Sequence, residues 1–188
     1  MSAANPFIAP EVAERYARGR PYHHRRTLQR CLALGRGTPD GLALDVACGT
    51  GLSTRALAEL GFRAVGIDLT PAMVALAHQT EGLPFLVAAA EALPLKDGSV
   101  AVMTVGSGLH WFDASGFYAE AVRVLAPGGG LLVYEHAGVA LANDERFSAW
   151  IGEAYLSRYP SPPTPGRWLA AADAPKGMAK VTTESWED

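Results

Sequence analysis

Apolar residues along this chain fall into two alternating rhythms. Short apolar runs occur at Leu42 to Ala47, at Arg63 to Ile67 closing on Asp68, at Pro84 to Ala89, at Val100 to Val105 and at Leu131 to His136. Runs this short, bounded by glycine, proline or polar residues, predict buried strands. Between them lie stretches with helical spacing: Ser53 to Leu60 ending at Gly61, a segment capped by Thr70 with Pro71 at its first position, and Phe117 to Leu125. Threonine before and proline inside a first turn suit a helix start. Pro127-Gly128-Gly129-Gly130 reads as the turn into the fifth strand. Strands alternating with helices imply βαβ units, right-handed crossovers and a mostly parallel sheet with helices on both faces.

Two helices precede this alternation. Pro10 to Arg18 is broken by Gly19-Arg20-Pro21, and a second helix starts near His24 with Leu28, Cys31 and Leu32 on one side and Gly35 as its stop. Residues 37–41 form a loop. After the fifth strand, about Asn143 to Arg158 has Phe147, Trp150, Ile151, Ala154 and Tyr155 at helical spacing, which suits core or lid packing. Pro160 to Gly166 holds four of the thirteen prolines and is a loop or linker. The expected organisation is a helical lid over 1–40, an α/β core over 41–137, and a helix with a proline loop and short tail over 138–188.

Composition narrows the function classes. The chain has 188 residues, 49% hydrophobic and 19% charged, as expected for one globular domain. A formal net charge of -3 argues against nucleic acid as a partner, since phosphate neutralisation needs a basic face. Cys31 and Cys48 have no CxxC or metal-ligand spacing and read as free thiols, and no metal is expected. The N-terminus lacks the apolar segment of a signal peptide, and no apolar run is long enough to span a membrane. A cytoplasmic protein without a membrane partner is the expectation.

The candidate chemistry lies in Leu44-Asp45-Val46-Ala47-Cys48-Gly49-Thr50-Gly51, a strand running into a glycine turn and then a helix. Ligands of open α/β sheets bind at the carboxyl ends of strands, where glycine lets them approach the backbone. Asp68 ends the second strand about 20 residues later and can accept from ribose hydroxyls. A dinucleotide site would share these features. Its third glycine falls on Thr54, however, and Asp45 lies inside the site. A carboxylate there suits a ligand with a positive amino group better than a pyrophosphate.

These segments resemble the class I S-adenosylmethionine-dependent methyltransferases of the type 11 group. The resemblance runs from about Leu44 to Tyr134 through LDVACGTG, VGIDLTPAMV, AAAEALPL and RVLAPGGGLLVY, in that order. His110-Trp111-Phe112-Asp113 is similar to the HWFD signature of a subgroup near the trans-aconitate methyltransferases, as are Tyr16, Arg20-Pro21 and Tyr22. The resemblance implies a Rossmann-like core that binds S-adenosylmethionine and a small-molecule acceptor, with carboxylates among the acceptors left open. Asp45 would face the methionine ammonium, directly or through water. The backbone of Ala47, Gly49 and Gly51 would line the methionine moiety. Asp68 would hold the ribose, Leu69 would pack on the adenine, and Ala90 and Glu91 would lie near the adenine edge. Two positions depart from the pattern: Ala89 and Ala101 stand where relatives often carry Asp. Such relatives usually add an antiparallel hairpin beside strand five. Only Val181-Thr182-Thr183 in the tail looks β-like, so the hairpin is expected to be missing, leaving strand five as an exposed edge open to self-association.

Other residues admit plainer roles. Cys48 needs only to be small for the turn. His23 and His24 are adjacent and cannot share one helix face as metal ligands. His110 either closes the pocket with Trp111 or contacts substrate and accepts a proton, the one catalytic candidate. Two rival functions remain: a nicotinamide oxidoreductase, disfavoured by Thr54, by Asp45 and by the lack of a Tyr-x-x-x-Lys pair, and a non-catalytic cofactor-binding relic.

Overall fold

A computed structural model describes residues 7–33, 41–135, 144–158 and 177–179. Their elements follow the alternation closely. Helices α1 (Pro10–Gly19) and α2 (His24–Ala33) lead into β1 (Leu42–Val46), α3 (Leu52–Glu59), β2 (Arg63–Asp68), α4 (Pro71–Glu81), β3 (Phe85–Val87) and β4 (Val100–Gly106). A 3-10 turn (Leu109–Trp111), α5 (Ala114–Val124) and β5 (Leu125–Tyr134) complete the core. The five described strands are all parallel, in the order β3-β2-β1-β4-β5. The order reverses between β1 and β4, the switch point at which doubly wound sheets open a crevice beyond their carboxyl ends.

Both faces of the sheet are covered. Leu44, Val46, Met103 and Val105 point to one side and pack with Phe117, Ala121 and Val124 of α5. Ala43, Ala64 and Val102, from the alternate positions, meet Leu28 and Cys31 of α2 and Ala56 and Leu57 of α3. Period-two alternation in the strands thus feeds two separate cores. Leu28 is fully buried in the cluster with Ala56 and Leu57, so α2 is a packed layer of the core. A third cluster, Cys48, Val74, Ala77 and Phe85, seats α4 beside the glycine turn.

Several boundaries differ from the sequence expectation, each for a physical reason. α5 starts at Ala114, three residues before the apolar run, because Asp113 caps it by accepting from the Gly116 amide at 3.0 Å. Thr70 precedes α4 but makes no side-chain cap bond; its amide instead donates to Asp68 Oδ1 at 2.8 Å. β5 begins at Leu125 and absorbs Pro127 to Gly130 as an irregularity: Val100 pairs with Leu125, whereas Val102 pairs with Gly130. The positive φ of Gly128, 80°, lets the extra residues loop out without ending the strand. The late helix is wound in three pieces, α6 (Glu145–Ala149), a π-helical stretch (Trp150–Tyr155) and α7 (Leu156–Arg158). None of its residues is buried, and Trp150 is 51% exposed, so of the expected core or lid packing the core alternative does not hold. His136, the loop over 37–40, the proline stretch and Val181 to Thr183 lie outside the described residues. Met178 packs against the α5-side core. No helix among the described residues is long and apolar enough to cross a membrane.

Candidate cofactor site

The turn after β1 is built from unusual backbone. Ala47, Gly49 and Gly51 have φ of 58°, 54° and 91°, three left-handed residues within five positions. Only glycine adopts such angles freely, so the strain at Ala47 is held by its surroundings. At Gly51, which precedes α3, an added Cβ would stand 2.7 Å from the Phe85 ring. The same ring occupies the space a side chain on Gly66 would need, at 2.4 Å. Phe85 therefore wedges the turn against β2, and both glycines are required by that close approach.

Asp68 sits at the tip of β2 and grips the turn. Its Oδ2 accepts from the Gly49 amide at 2.9 Å, and its Oδ1 accepts from Thr70. Each oxygen retains lone-pair capacity for a further donor. Leu69, the next residue, is 61% exposed at the same edge, an apolar surface beside a carboxylate.

Asp45 is placed differently from the expectation that it faces a ligand. It is fully buried, and three hydroxyls close around it. Ser53 donates to Oδ2 at 2.5 Å, Thr54 donates to Oδ2 at 2.7 Å, and Thr104 on β4 donates to Oδ1 at 3.0 Å. Burial pushes its carboxyl up to about 6, against the pull of the three hydroxyl donors, with Asp68 adding a further push. Sequence reasoning passed over Ser53 and Thr104. It used Thr54 only as a missing glycine, whereas its hydroxyl is one of the acid's partners and fills space next to Gly66. The Cys48 thiol is pushed well up by burial and by both carboxylates, which suits an inert spacer.

Ala90 is buried in the α5-side core. Glu91 turns toward α5, where its Oε1 accepts from the Asp113 amide at 2.8 Å. It thus ties the segment after β3 to the start of α5 and steadies the turn that carries His110. An added Cβ on Gly108 would lie 2.7 Å from Ala47 Cβ, so that turn rests directly on the glycine turn. His110 Nδ1 lies 3.5 Å from Glu135 Oε1, at the end of β5.

The N-terminal helices roof the turn. The Tyr16 ring comes within 3.8 Å of where a Gly49 side chain would start. Arg20 donates from Nε to the Tyr16 hydroxyl at 2.9 Å, and Trp111 meets Phe7, which meets Tyr16 edge-on. Tyr22 is held to α3 through Glu59, with the Arg55 guanidinium 4.0 Å from its ring centre. The hollow among Tyr16, Arg20, His24, Cys48 and Ser53 is only about 30 Å³. A larger one, about 410 Å³, lies among Tyr22, His23, Arg25, Arg26 and Gln29. Of the residues described above it shares only Tyr22.

Known proteins similar to this chain are methyltransferases. A family model described as a methyltransferase domain matches residues 44–133, just under half of the chain. The chain is 30% identical over 165 residues to a malonyl-[acyl-carrier protein] O-methyltransferase of Serratia marcescens, covering 85% of this chain and 64% of that one. It is 32% identical over 171 residues to a demethylmenaquinone methyltransferase of Tropheryma whipplei, covering 88% and 66%. A solved structure described as a type II methyltransferase from Anaeromyxobacter dehalogenans superposes with a TM-score of 0.63 at 28% identity, covering 74% of this chain and 59% of that chain. The chain spans about half the length of the curated relatives it matches, from 39% to 66%. Residues 44–133 are similar to a methyltransferase domain, and the chain has the Rossmann-like α/β fold shared by S-adenosylmethionine-dependent methyltransferases.

Proposed function

We propose that this chain is an S-adenosylmethionine-dependent methyltransferase acting on a small-molecule acceptor. The observation that carries this reading is the pair of carboxylates at the switch point. Asp68 is aimed at the left-handed turn, and Asp45 lies buried beneath it. Two acids at one turn repel a pyrophosphate and favour a cationic ligand, and S-adenosylmethionine carries an ammonium and a sulfonium.

The residues fit that cofactor. Asp68 holds the ribose hydroxyls, with Leu69 as an apolar platform for the adenine and Ala90 and Glu91 near its edge. The bare backbone of Ala47, Gly49 and Gly51 takes the methionine portion. Asp45 acts through the field of its charge and through the Ser53 and Thr54 hydroxyls that cover it. When bound, the cofactor supplies a methyl group already activated by the sulfonium charge. The chain orients the partners, excludes water and moves the acceptor's proton. Orientation alone contributes on the order of 7–11 kcal/mol in the best cases.

His110, on the turn packed against Ala47, is the candidate catalytic residue. The HWFD-like segment supports a place near the trans-aconitate subgroup, and β5, unpaired on its outer side among the described residues, supports self-association through that edge. The acceptors in the names of the two relatives, malonyl-[acyl-carrier protein] and demethylmenaquinone, differ in kind, so the fold does not choose between them. The test is a methyl-transfer assay on the purified chain with a panel of small acceptors, read as S-adenosylhomocysteine formed. Turnover with at least one acceptor is expected, and His110→Ala should lower turnover far more than cofactor affinity. Cofactor binding without turnover on any acceptor class would favour a binding protein instead.

A further inference from the structure

Glu135 has no role in the cofactor site, yet it is held close to His110. The two residues follow neighbouring parallel strands, β4 and β5, at the carboxyl edge of the sheet. Their side chains are 15% and 20% exposed, and His110 Nδ1 lies 3.5 Å from Glu135 Oε1. That is the separation of an ion pair rather than of a tight hydrogen bond. Both partners are anchored. The Ser107 amide donates to the Tyr134 carbonyl at 2.9 Å, fixing the end of β5 against β4. The Trp111 and Phe112 amides donate to Gly108 and Leu109, closing the turn that carries His110.

We propose that Glu135 is a positioning residue for His110, and that the pair serves an acceptor that must give up a proton, a hydroxyl, phenol or amine, in place of a carboxylate. This rests on the methyltransferase reading above. Glu135 turned toward Nδ1 sets the ring's orientation, leaving Nε2 as the nitrogen that takes the proton. The acceptor's lone pair forms the new bond to the methyl carbon, the carbon–sulfur pair stays on sulfur, and the acceptor's proton passes to Nε2. A carboxylate acceptor has no proton to lose and would meet the like charge of Glu135, so this pair would work against it.

Among the described residues, the groups facing Glu135 come from three elements: Ser107 after β4, His110 on the 3-10 turn and Arg20 between α1 and α2. Burial raises the Glu135 carboxyl, while Ser107, His110 and Arg20 each pull it down. Arg20 also bonds Tyr16 over the glycine turn, so the same cation links the acid to the roof of the cofactor site.

The experiment follows the Glu135 carboxyl by carbon-detected NMR across a pH titration of the full chain, in wild type, His110→Gln and Arg20→Gln. Removing either partner should raise the Glu135 midpoint, more for His110 than for Arg20. An unchanged midpoint in His110→Gln means that the pair does not exist in solution, and overturns the proposal. Turnover is the second readout. Glu135→Gln should lower kcat and change its pH profile while leaving cofactor affinity intact, and Glu135→Asp should restore part of the loss. Turnover confined to carboxylate acceptors would overturn the acceptor class. Loss of cofactor binding in wild type would instead sink the methyltransferase reading, and the carboxyl titration does not depend on it.

Discussion

Thr104 on β4 donates a 3.0 Å hydrogen bond to Asp45 on β1, joining the two strands between which the sheet reverses its order. The bond is register-matched, since Asp45 and Thr104 are paired positions of the parallel ladder. A buried carboxylate survives there because Thr104, Ser53 and Thr54 satisfy it.

Asp45 should make folding stability depend on pH. Its folded value, about 6, exceeds the 3.8 of an ordinary aspartate. Its contribution is therefore fully present below about pH 3.8 and is lost as pH rises through 6. The difference corresponds to about 3 kcal/mol. Denaturant unfolding of wild type and Asp45→Asn between pH 4 and pH 7 checks this. The wild type should lose more stability over that range than Asn, whose amide can still serve the hydroxyls. Equal slopes would show that Asp45 is not perturbed.

Gly51→Ala should destabilise the turn. The residue sits at φ 91°, and the new Cβ would lie 2.7 Å from Phe85. Strain of this kind costs about 1–3 kcal/mol, and cofactor affinity should fall with it. Thermal unfolding and calorimetry on the variant measure both. A neutral outcome would mean that the turn relaxes away from Phe85.

Leu28→Ala tests whether α2 is a core layer. Leu28 is fully buried against the α3 face of the sheet, and truncation of such a side chain costs about 2–5 kcal/mol. A detachable lid would lose almost nothing, as judged by denaturant unfolding.

Much of this was legible in the sequence. Strand-and-helix alternation set the fold class, and the glycine turn follows β1 and Asp68 ends β2 as the spacing indicated, whereas Asp45 is buried under three hydroxyls. What the sequence hid are relationships between distant residues. Thr104 is 59 positions from Asp45, and nothing local marks it as a partner. Glu135 reads as one more position of an edge strand until β5 is laid beside β4. The start of β5 was misplaced because Pro127-Gly128 is turn chemistry, and a bulge uses the same residues. The late helix was expected to pack because its aromatics have helical spacing. Periodicity shows an apolar face and says nothing of what covers it.

The central claim is that Asp68 and the left-handed turn hold S-adenosylmethionine. Its most direct measurement is isothermal titration of S-adenosylhomocysteine into wild type, Asp68→Asn and Asp68→Ala, with NADH as the control ligand. Asp68 also secures Gly49 and Thr70, so the Asn variant separates lost charge from a loosened turn. The account predicts saturable binding to wild type and none of NADH. Asp68→Ala should bind more weakly by about 1.5–3 kcal/mol, roughly ten- to a hundred-fold, with Asn in between. Unchanged affinity in Asp68→Ala, or tighter binding of NADH than of S-adenosylhomocysteine, would contradict it.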